Sequence, residues 1–505
     1  MTTPIMTAPE KGVKVRMYRQ GHGDCFLLAF RQTDGSPFYL LIDFGLKAGS
    51  ELKFQKGSKT VKHDYNEIAQ HISDSTGGHL HLVVVTHEHE DHVSGFRRAG
   101  DIFKKMKIDR LWLAWTEDPK NELANSLRKK YKDTLLGLFA VGQQLQAAST
   151  PEDERLRDVI HDVLGFETED GELPFGADAK KKIKGINNKI AIKLIKERAD
   201  KRDGTDYLTP NEKQPQVLAN VDGVRVYVLG PPENEALLKN MDPKGNEEFH
   251  LAATFGQERS LFAAASAHAA RSGMGDADKE EVESNQPFAA KHRIPFKKAT
   301  ARKYEGFFKR HYFDSKSKWR TINHDWMRAA EQFAIRMSSY VNNTSLVLAF
   351  EFADSGNVLL FVGDAQRGNW VSWKNQDWED KDGETIAVND LLARTVFYKV
   401  GHHGSHNATL NEGGLAEMAK GKYAKHFVAM IPSHEKWAKE KKKWEHPLAE
   451  IRAALYRKTR GRLLQTDRSR IRKPNASTNL ISTTEWNRFK NNVEMNELYF
   501  ELTIK

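Results

Sequence analysis

The sequence predicts an α/β protein, and three stretches predict it. Residues 81–86 form a short Val-rich run that reads as a buried strand and ends in His87-Glu88-His89-Glu90-Asp91-His92. Residues 359–362 are a second apolar run, closed by Gly363-Asp364, and residues 397–400 a third, closed by Gly401-His402-His403-Gly404-Ser405-His406. The first 115 residues alternate such strands with short helical segments, among them 93–97 directly after the first histidine motif.

The first motif carries the chemistry. Histidines two residues apart on an extended or turning segment can face one metal ion, and the Asp-His pair that follows, where the chain enters a helix, can reach a second. Imidazole suits Zn and the ions from Mn to Cu, while carboxylate neutralises charge and can bridge. A merely solvated His-rich loop has no reason to follow a hydrophobic strand directly. Taken alone, Gly363-Asp364 reads equally well as a strand followed by a turn aspartate.

The spacing His87-x-His89-x-Asp91-His92 resembles the signature of the metallo-β-lactamase superfamily. Within it, several segments resemble the C-terminal metallo-β-lactamase domain of DNA-internalisation competence proteins. These are Gly21-His22-Gly23-Asp24-Cys25-Phe26-Leu27-Leu28, Leu40-Leu41-Ile42-Asp43-Phe44-Gly45, Asn342-Asn343-Thr344-Ser345-Leu346-Val347-Leu348 and His402-His403-Gly404-Ser405. His446-Pro447, and Thr466-Asp467 after Arg462-Leu463-Leu464, complete the series. The resemblance covers residues 12–115, 220–232 and 340–470. The sequence shows no membrane channel domain and carries long inserts that the family domain lacks, so DNA transport is not implied.

The resemblance implies an αββα sandwich with two large, mostly helical insertions. Residues 12–115 would form its first half, 116–220 a helical insertion, 221–232 a returning strand, 233–335 a second insertion and 336–505 the second half. It also implies two divalent ions, Zn or Mn. Most of the superfamily adds a third histidine to the first ion, but Val341-Asn342-Asn343-Thr344-Ser345 has none. The first ion would then rest on His87, His89 and Asp364. The second would take Asp91, His92, Asp364 and one of His402 or His403, with Asp91 and His403 carrying the chemistry and His446 a further ligand or phosphate contact. Asp43, Asn343, Ser345, Ser405 and His406 would orient ligands or touch substrate. His446 reads otherwise as a helix N-terminal residue before Pro447. His434 lies where the fold returns to the site, and His22 reads as a loop residue.

Composition bounds the rest. At 505 residues, with ten Trp and twenty-six Phe, the chain can bury a large core in one domain with insertions or in two domains. No run reaches about 18 apolar residues, which argues against a membrane helix, and the first residues lack a basic-then-apolar leader pattern. Cys25 is the one cysteine, so disulfides and thiolate ligand sets are excluded; it reads as a small buried hydrophobe, and a cytoplasmic setting fits.

The net charge of +10 is concentrated in runs at 128–132, 180–184, 297–303 and 439–443. Aromatics interleave with the third run between Phe296 and Trp319, which suits phosphates and stacked bases; Lys297, Lys298 and Arg302 are the candidate contacts, against the plainer reading of a solvated helix face. Residues 273–285 read as a mobile loop. The expected function is metal-dependent phosphodiester hydrolysis of DNA or RNA by a metal-bound hydroxide. The alternatives are a small-molecule hydrolase (lactonase, thioesterase or cyclic-nucleotide phosphodiesterase) and a non-enzymatic core whose insertions bind a partner. The sequence leaves oligomeric state open.

Overall fold

The computed structural model describes residues 3–56, 59–131, 187–201, 204–210, 212–249, 340–379, 383–475 and 480–505, with positions 292, 294, 296–299, 301 and 304–313 between them. Two mixed sheets organise them. The first runs in the order β18 (Val493–Met495), β19 (Tyr499–Ile504), β1 (Val13–Tyr18), β2 (Cys25–Arg31), β3 (Pro37–Phe44), β6 (His79–Val84), β7 (Lys107–Ala114) and β8 (Thr205–Leu208). The second runs β17 (Leu463–Gln465), β16 (Val428–Ile431), β15 (Thr395–Lys399), β12 (Val358–Phe361), β11 (Val347–Phe352), β10 (Val224–Gly230) and β9 (Gln216–Val217). Hairpins β4–β5 (Lys53–Lys56, Lys59–Lys62) and β13–β14 (Asp377–Glu379, Thr385–Ala387) stand apart.

Side chains on a strand alternate between faces, and β2 shows what each face meets. Phe26, Leu28 and Phe30 enter a core shared with Phe350, Phe361 and Phe397 of the second sheet. Ring centroids of Phe26 and Phe361 lie 5.7 Å apart, and those of Phe30 and Phe350 5.9 Å, so the two sheets pack face to face. Cys25, Leu27 and Ala29 point the other way, into a second core with Ile68 and Ile72 of α1 (Tyr65–Thr76) and Val93 and Phe96 of α2 (Glu90–Arg98). A third core lies outside the second sheet, where Trp370, Leu391 and Ile451 cover Leu360 and Tyr398. Each buried aromatic or aliphatic side chain contributes about 1.5–3 kcal/mol. The buried Cys25 fits the reading of a small apolar group.

Strand direction positions the site. β3, β6 and β7 are parallel, as are β12, β15, β16 and β17. Their carboxyl ends therefore gather along one edge of each sheet. Chain reversal into α1 is fixed by Asp64, whose side chain accepts from Glu67 N at 2.8 Å, and the helix stops at Gly77, whose φ of 61° suits a residue without Cβ.

The extent of the first insertion needs correction. Residues 187–217 fall inside the expected helical insertion, yet helix Asn187–Asp200 packs Ala191 and Ile195 into the core beside α2, and β8 and β9 each close one end of a sheet. Short polar strands such as Thr205–Leu208 carry little alternation to read. Residues 122–131 are helical, and residues 132–186 of the expected insertion lie outside the described residues, as does the loop 273–285. Among the described residues no helix is long and apolar enough to cross a membrane.

Phe361 touches Phe26, Phe350 and Phe397 between the sheets. Phe361→Ala is expected to cost about 3–5 kcal/mol, read as a lowered denaturant midpoint; an unchanged midpoint would mean that the sheets do not depend on this contact.

Candidate metal centre

The chain reaches the site edge through tight approaches. At the end of β3, Asp43 adopts φ 56° and turns its carboxylate under the first histidine motif. Oδ1 accepts from Thr86 N at 2.8 Å, and Oδ2 accepts from Thr86 Oγ1 at 2.7 Å and from His92 Nδ1 at 2.8 Å. Two residues on, a Cβ at Gly45 would lie 2.2 Å from the Asp91 carbonyl carbon and the His92 nitrogen, so only glycine lets α2 start there. On the second sheet, His402 and His403 take φ 42° and 54°. L-residues with side chains seldom adopt this backbone region, and such strain tends to be held where function needs it. The turn aims His402 N at Asp364 Oδ1, 3.1 Å away.

These approaches join Asp91, His92, Asp364 and His403 into one buried group, with one ligand atom from each residue within 4.8 Å of the others. Nε2 of His403 faces Oδ2 of Asp91 at 3.0 Å, and Nε2 of His92 faces Oδ2 of Asp364 at 3.2 Å. Ligands about 2.0–2.2 Å from a tetrahedral ion would themselves be separated by about 3.3–3.6 Å, close to these spacings. Tautomers agree with ligation. His92 Nδ1 donates to Asp43 and His403 Nδ1 donates to the Pro432 carbonyl at 2.8 Å, which leaves each Nε2 facing the group, able to bind an ion once it gives up its proton. Asp91 Oδ1 is buried and makes no hydrogen bond, which is costly for a polar atom, and Asp364 Oδ2 and His92 Nε2, equally buried, are answered by their charge contact rather than by a hydrogen bond. The group could bind a metal ion.

Charge gives the same result. Asp24, Asp43, Asp91 and Asp364 are all buried; of the two lysines buried among the described residues, Lys399 lies against Asp24 and Asp364, while Lys47 pairs with Glu90. Burial opposes ionisation of Asp91 and Asp364, but the neighbouring imidazoles outweigh it and hold both well below the usual carboxylate range. Burial also opposes charge on His92, yet Asp364, Asp24 and Asp43 raise its pKa well above the usual histidine value. His89 is pushed down by burial to about 3 and His402 to about 4, so both are neutral imidazoles at pH 7.

His87 and His89 stand beside the four-residue group. His87 Nε2 and His89 Nδ1 are 3.1 Å apart, and the His87 ring lies 4.1 Å from that of His92. Ser345 Oγ sits between His87 Nδ1 at 3.2 Å and the Asp364 amide at 3.0 Å, tying one ligand candidate to another. Between the two alternatives at 402 and 403, the structure draws in His403; His402 Nε2 stays 3.8 Å from Asp364 Oδ2 and 3.3 Å from Asn342 Nδ2.

Other expected positions move away. His446 does not join the group: its ring stacks on His22 at 5.5 Å and 11°, and Trp444 covers its other neighbourhood at 5.4 Å. Asn343 holds the fold, donating to the carbonyls of Leu237, Leu238 and Asn240 and accepting from Gln366 N and Asn369 N. Ser405 donates to Asn407 Oδ1, and His406 is exposed 3.6 Å from Asp242. His434 binds the Ser50 carbonyl through Nδ1, and its amide donates to His22 Nδ1 at 3.3 Å. Lys298 is exposed, whereas Arg302 and the Lys297 side chain lie outside the described residues.

Three residues escaped the sequence reading of the site. Lys399 donates to the Gly363 carbonyl at 2.7 Å, pairs with Asp24 and lies 3.5 Å from Asp364. A lysine inside the apolar run 397–400 was the available signal, since a buried ammonium needs a carboxylate. Asp24 was visible only within a quoted motif. His22, expected in a loop, is there, but it is buried with its ring 4.1 Å from that of His403.

If the group holds a divalent ion, adding Zn or Mn at 100 times Kd should stabilise the protein by about 2.7 kcal/mol, and Asp91→Asn with His92→Ala should remove that gain while the circular dichroism of the fold persists. Asp43→Ala, which frees His92 Nδ1, should weaken metal affinity by about 10–100-fold in a competition titration with a chelator. A thermal midpoint blind to either metal would contradict both expectations. No family model, curated protein or solved structure matches the chain, so the reading of this centre rests on its own donors.

Proposed function

We propose that the protein is a metal-dependent phosphodiester hydrolase acting on DNA or RNA, on an αββα sandwich of the metallo-β-lactamase type. One observation carries the reading: Asp91, His92, Asp364 and His403, contributed by both sheets, converge with buried donor atoms that make no hydrogen bond at the ends of parallel strands, where open α/β sheets place their ligands. His87, His89 and Asp364 would hold one ion, and Asp91, His92, Asp364 and His403 a second, each Zn or Mn. When bound, the ions supply Lewis acidity that acidifies water and offsets charge on the phosphate.

The chain's own groups do the positioning. Asp43 and the Pro432 carbonyl fix the rings of His92 and His403, so neither rotates as charge changes nearby. Lys399 holds Asp364 and Asp24 in place from beneath. His402 lies with Nε2 3.8 Å from Asp364 Oδ2, and its Nδ1, buried and without a hydrogen bond, would donate to a phosphate oxygen.

A second reading, a lactonase, thioesterase or cyclic-nucleotide phosphodiesterase, draws support from the wall of rings around His22. Trp437 lies 5.5 Å from it, Trp444 6.2 Å and His446 5.5 Å. Such a wall suits an apolar acyl group or a single base.

Labelled single- and double-stranded DNA and RNA, a lactone, a thioester and a cyclic nucleotide, each with Mn, Mg or Zn, separate the readings. Polynucleotide cleavage that EDTA stops and that His403→Ala lowers by about 100-fold or more, the scale of removing a group used in the transition state, is the expected outcome. Efficient turnover of the lactone or thioester with intact polynucleotides would put the second reading first.

A further inference from the structure

The parallel strands that carry the metal centre continue past it. β15 leads to His403, β16 to His434 and β17 to Asp467. Beyond β17 lies a groove of about 670 Å³, between helix Ala449–Lys458 and the segment 466–472, floored by Leu464 and Phe500. A volume of about 300–1,000 Å³ is usual for a ligand site. Its walls carry Arg452, Arg457, Arg468, Arg470 and Arg472, and a single acidic residue, Asp467.

The arginines differ in what answers their charge. Arg452 and Arg468 share Glu435, the first at 3.1 Å. Arg457, Arg470 and Arg472 are exposed and make no ion pair among the described residues. Asp467 accepts from the Glu435 amide at 2.9 Å and pairs with Arg468 at 3.6 Å, which leaves Arg457, Arg470 and Arg472 unanswered among the described residues. Three unanswered guanidiniums along one groove repel each other, which argues for an anionic occupant. Guanidinium forks match phosphate oxygens in pairs, and Tyr456 adds a ring on which a base can stack.

The groove is joined to the centre by a short relay of contacts. Glu435 follows His434, the His434 amide donates to His22, and the His22 ring rests on His403. Arg452 and Arg468 contact Glu435 at the end of this relay, and Arg457, Arg470 and Arg472 line the same groove.

We propose that this groove is the track for a single-stranded polynucleotide, with its phosphates on Arg457, Arg470 and Arg472 while another part of the strand occupies the metal centre; the proposal rests on reading that centre as a phosphodiester hydrolase. A free nucleotide offers the same phosphate chemistry, and strand length separates the two sources.

The test uses the full chain in EDTA, so that binding is read without turnover, with fluorescent single-stranded oligonucleotides of graded length and a mononucleotide as probes. The triple variant Arg457→Ala/Arg470→Ala/Arg472→Ala should bind the longer strands at least tenfold more weakly, with an unchanged unfolding midpoint. Its log-log salt dependence should flatten by about two units, three contacts at about 0.7 each. The triple Arg→Lys variant, which keeps the charge, should retain most of that slope. Equal affinity and slope in the alanine variant and the unsubstituted protein would overturn the track. So would a mononucleotide that binds as tightly as a long strand, or a lysine variant as impaired as the alanine one. The reading of the centre fails separately: lost binding in the alanine variant, with no cleavage of any polynucleotide by metal-loaded protein, upholds the track and sinks the nuclease.

Discussion

Four carboxylates buried at one edge of a protein are a liability that the surrounding structure is arranged to contain. Asp24 and Asp43 come from the first hairpin, Asp91 from the start of α2 and Asp364 from the end of β12. Ionised carboxylates in a dry interior are tolerated only when paired and hydrogen-bonded. Here the pairing comes from Lys399, His92 and His403, and hydrogen bonds to the carboxylates come from Thr86 and the His402 amide. The left-handed turns at Asp43, His402 and His403 are what this containment demands of the backbone. A divalent ion relieves the same excess of charge.

The dependence also runs outward to the sheets. His403 and Asp91 meet across 312 positions of sequence, at 3.0 Å, because phenylalanines between the sheets set how closely the strand ends approach. The hydrophobic core and the polar site are thus one construction. The inward faces of β2, β12 and β15 fix the separation, and their ends spend it on a set of donors.

How much of this the sequence disclosed follows from how local each signal is. The motif 87–92 lies within one turn after a strand, so its candidate ligands were legible from spacing, and two of them, Asp91 and His92, enter the buried group; the α/β class followed from apolar runs that β6, β12 and β15 reproduce to within a few residues. The partnership of Asp43 with Thr86 and His92 was anticipated only as a general orienting role. Lys399 and Asp24 belong to different sheets, and no pattern along the chain announces their pairing. Asn343 misled because an amide beside a ligand strand looks functional, while its donors are spent on backbone carbonyls around 237–240. The arginines of the groove come from a helix and a loop and never form a run, which hid them among more conspicuous lysine clusters.

The order of strands in the first sheet has a consequence for how the protein comes into being. β1 is paired on one side by β2, which follows at once, and on the other by β19, with Val13 opposite Ile504. Arg16 meets Glu501 in a buried pair across 485 positions. During synthesis, at about 5–20 residues per second, β1 offers an open edge through most of the chain's production, and an unpaired edge invites association with other strands. Arg16 gives that edge a charge of its own during the wait. The same residue that blunts the edge early becomes the ion-pair partner that seals it once β19 arrives.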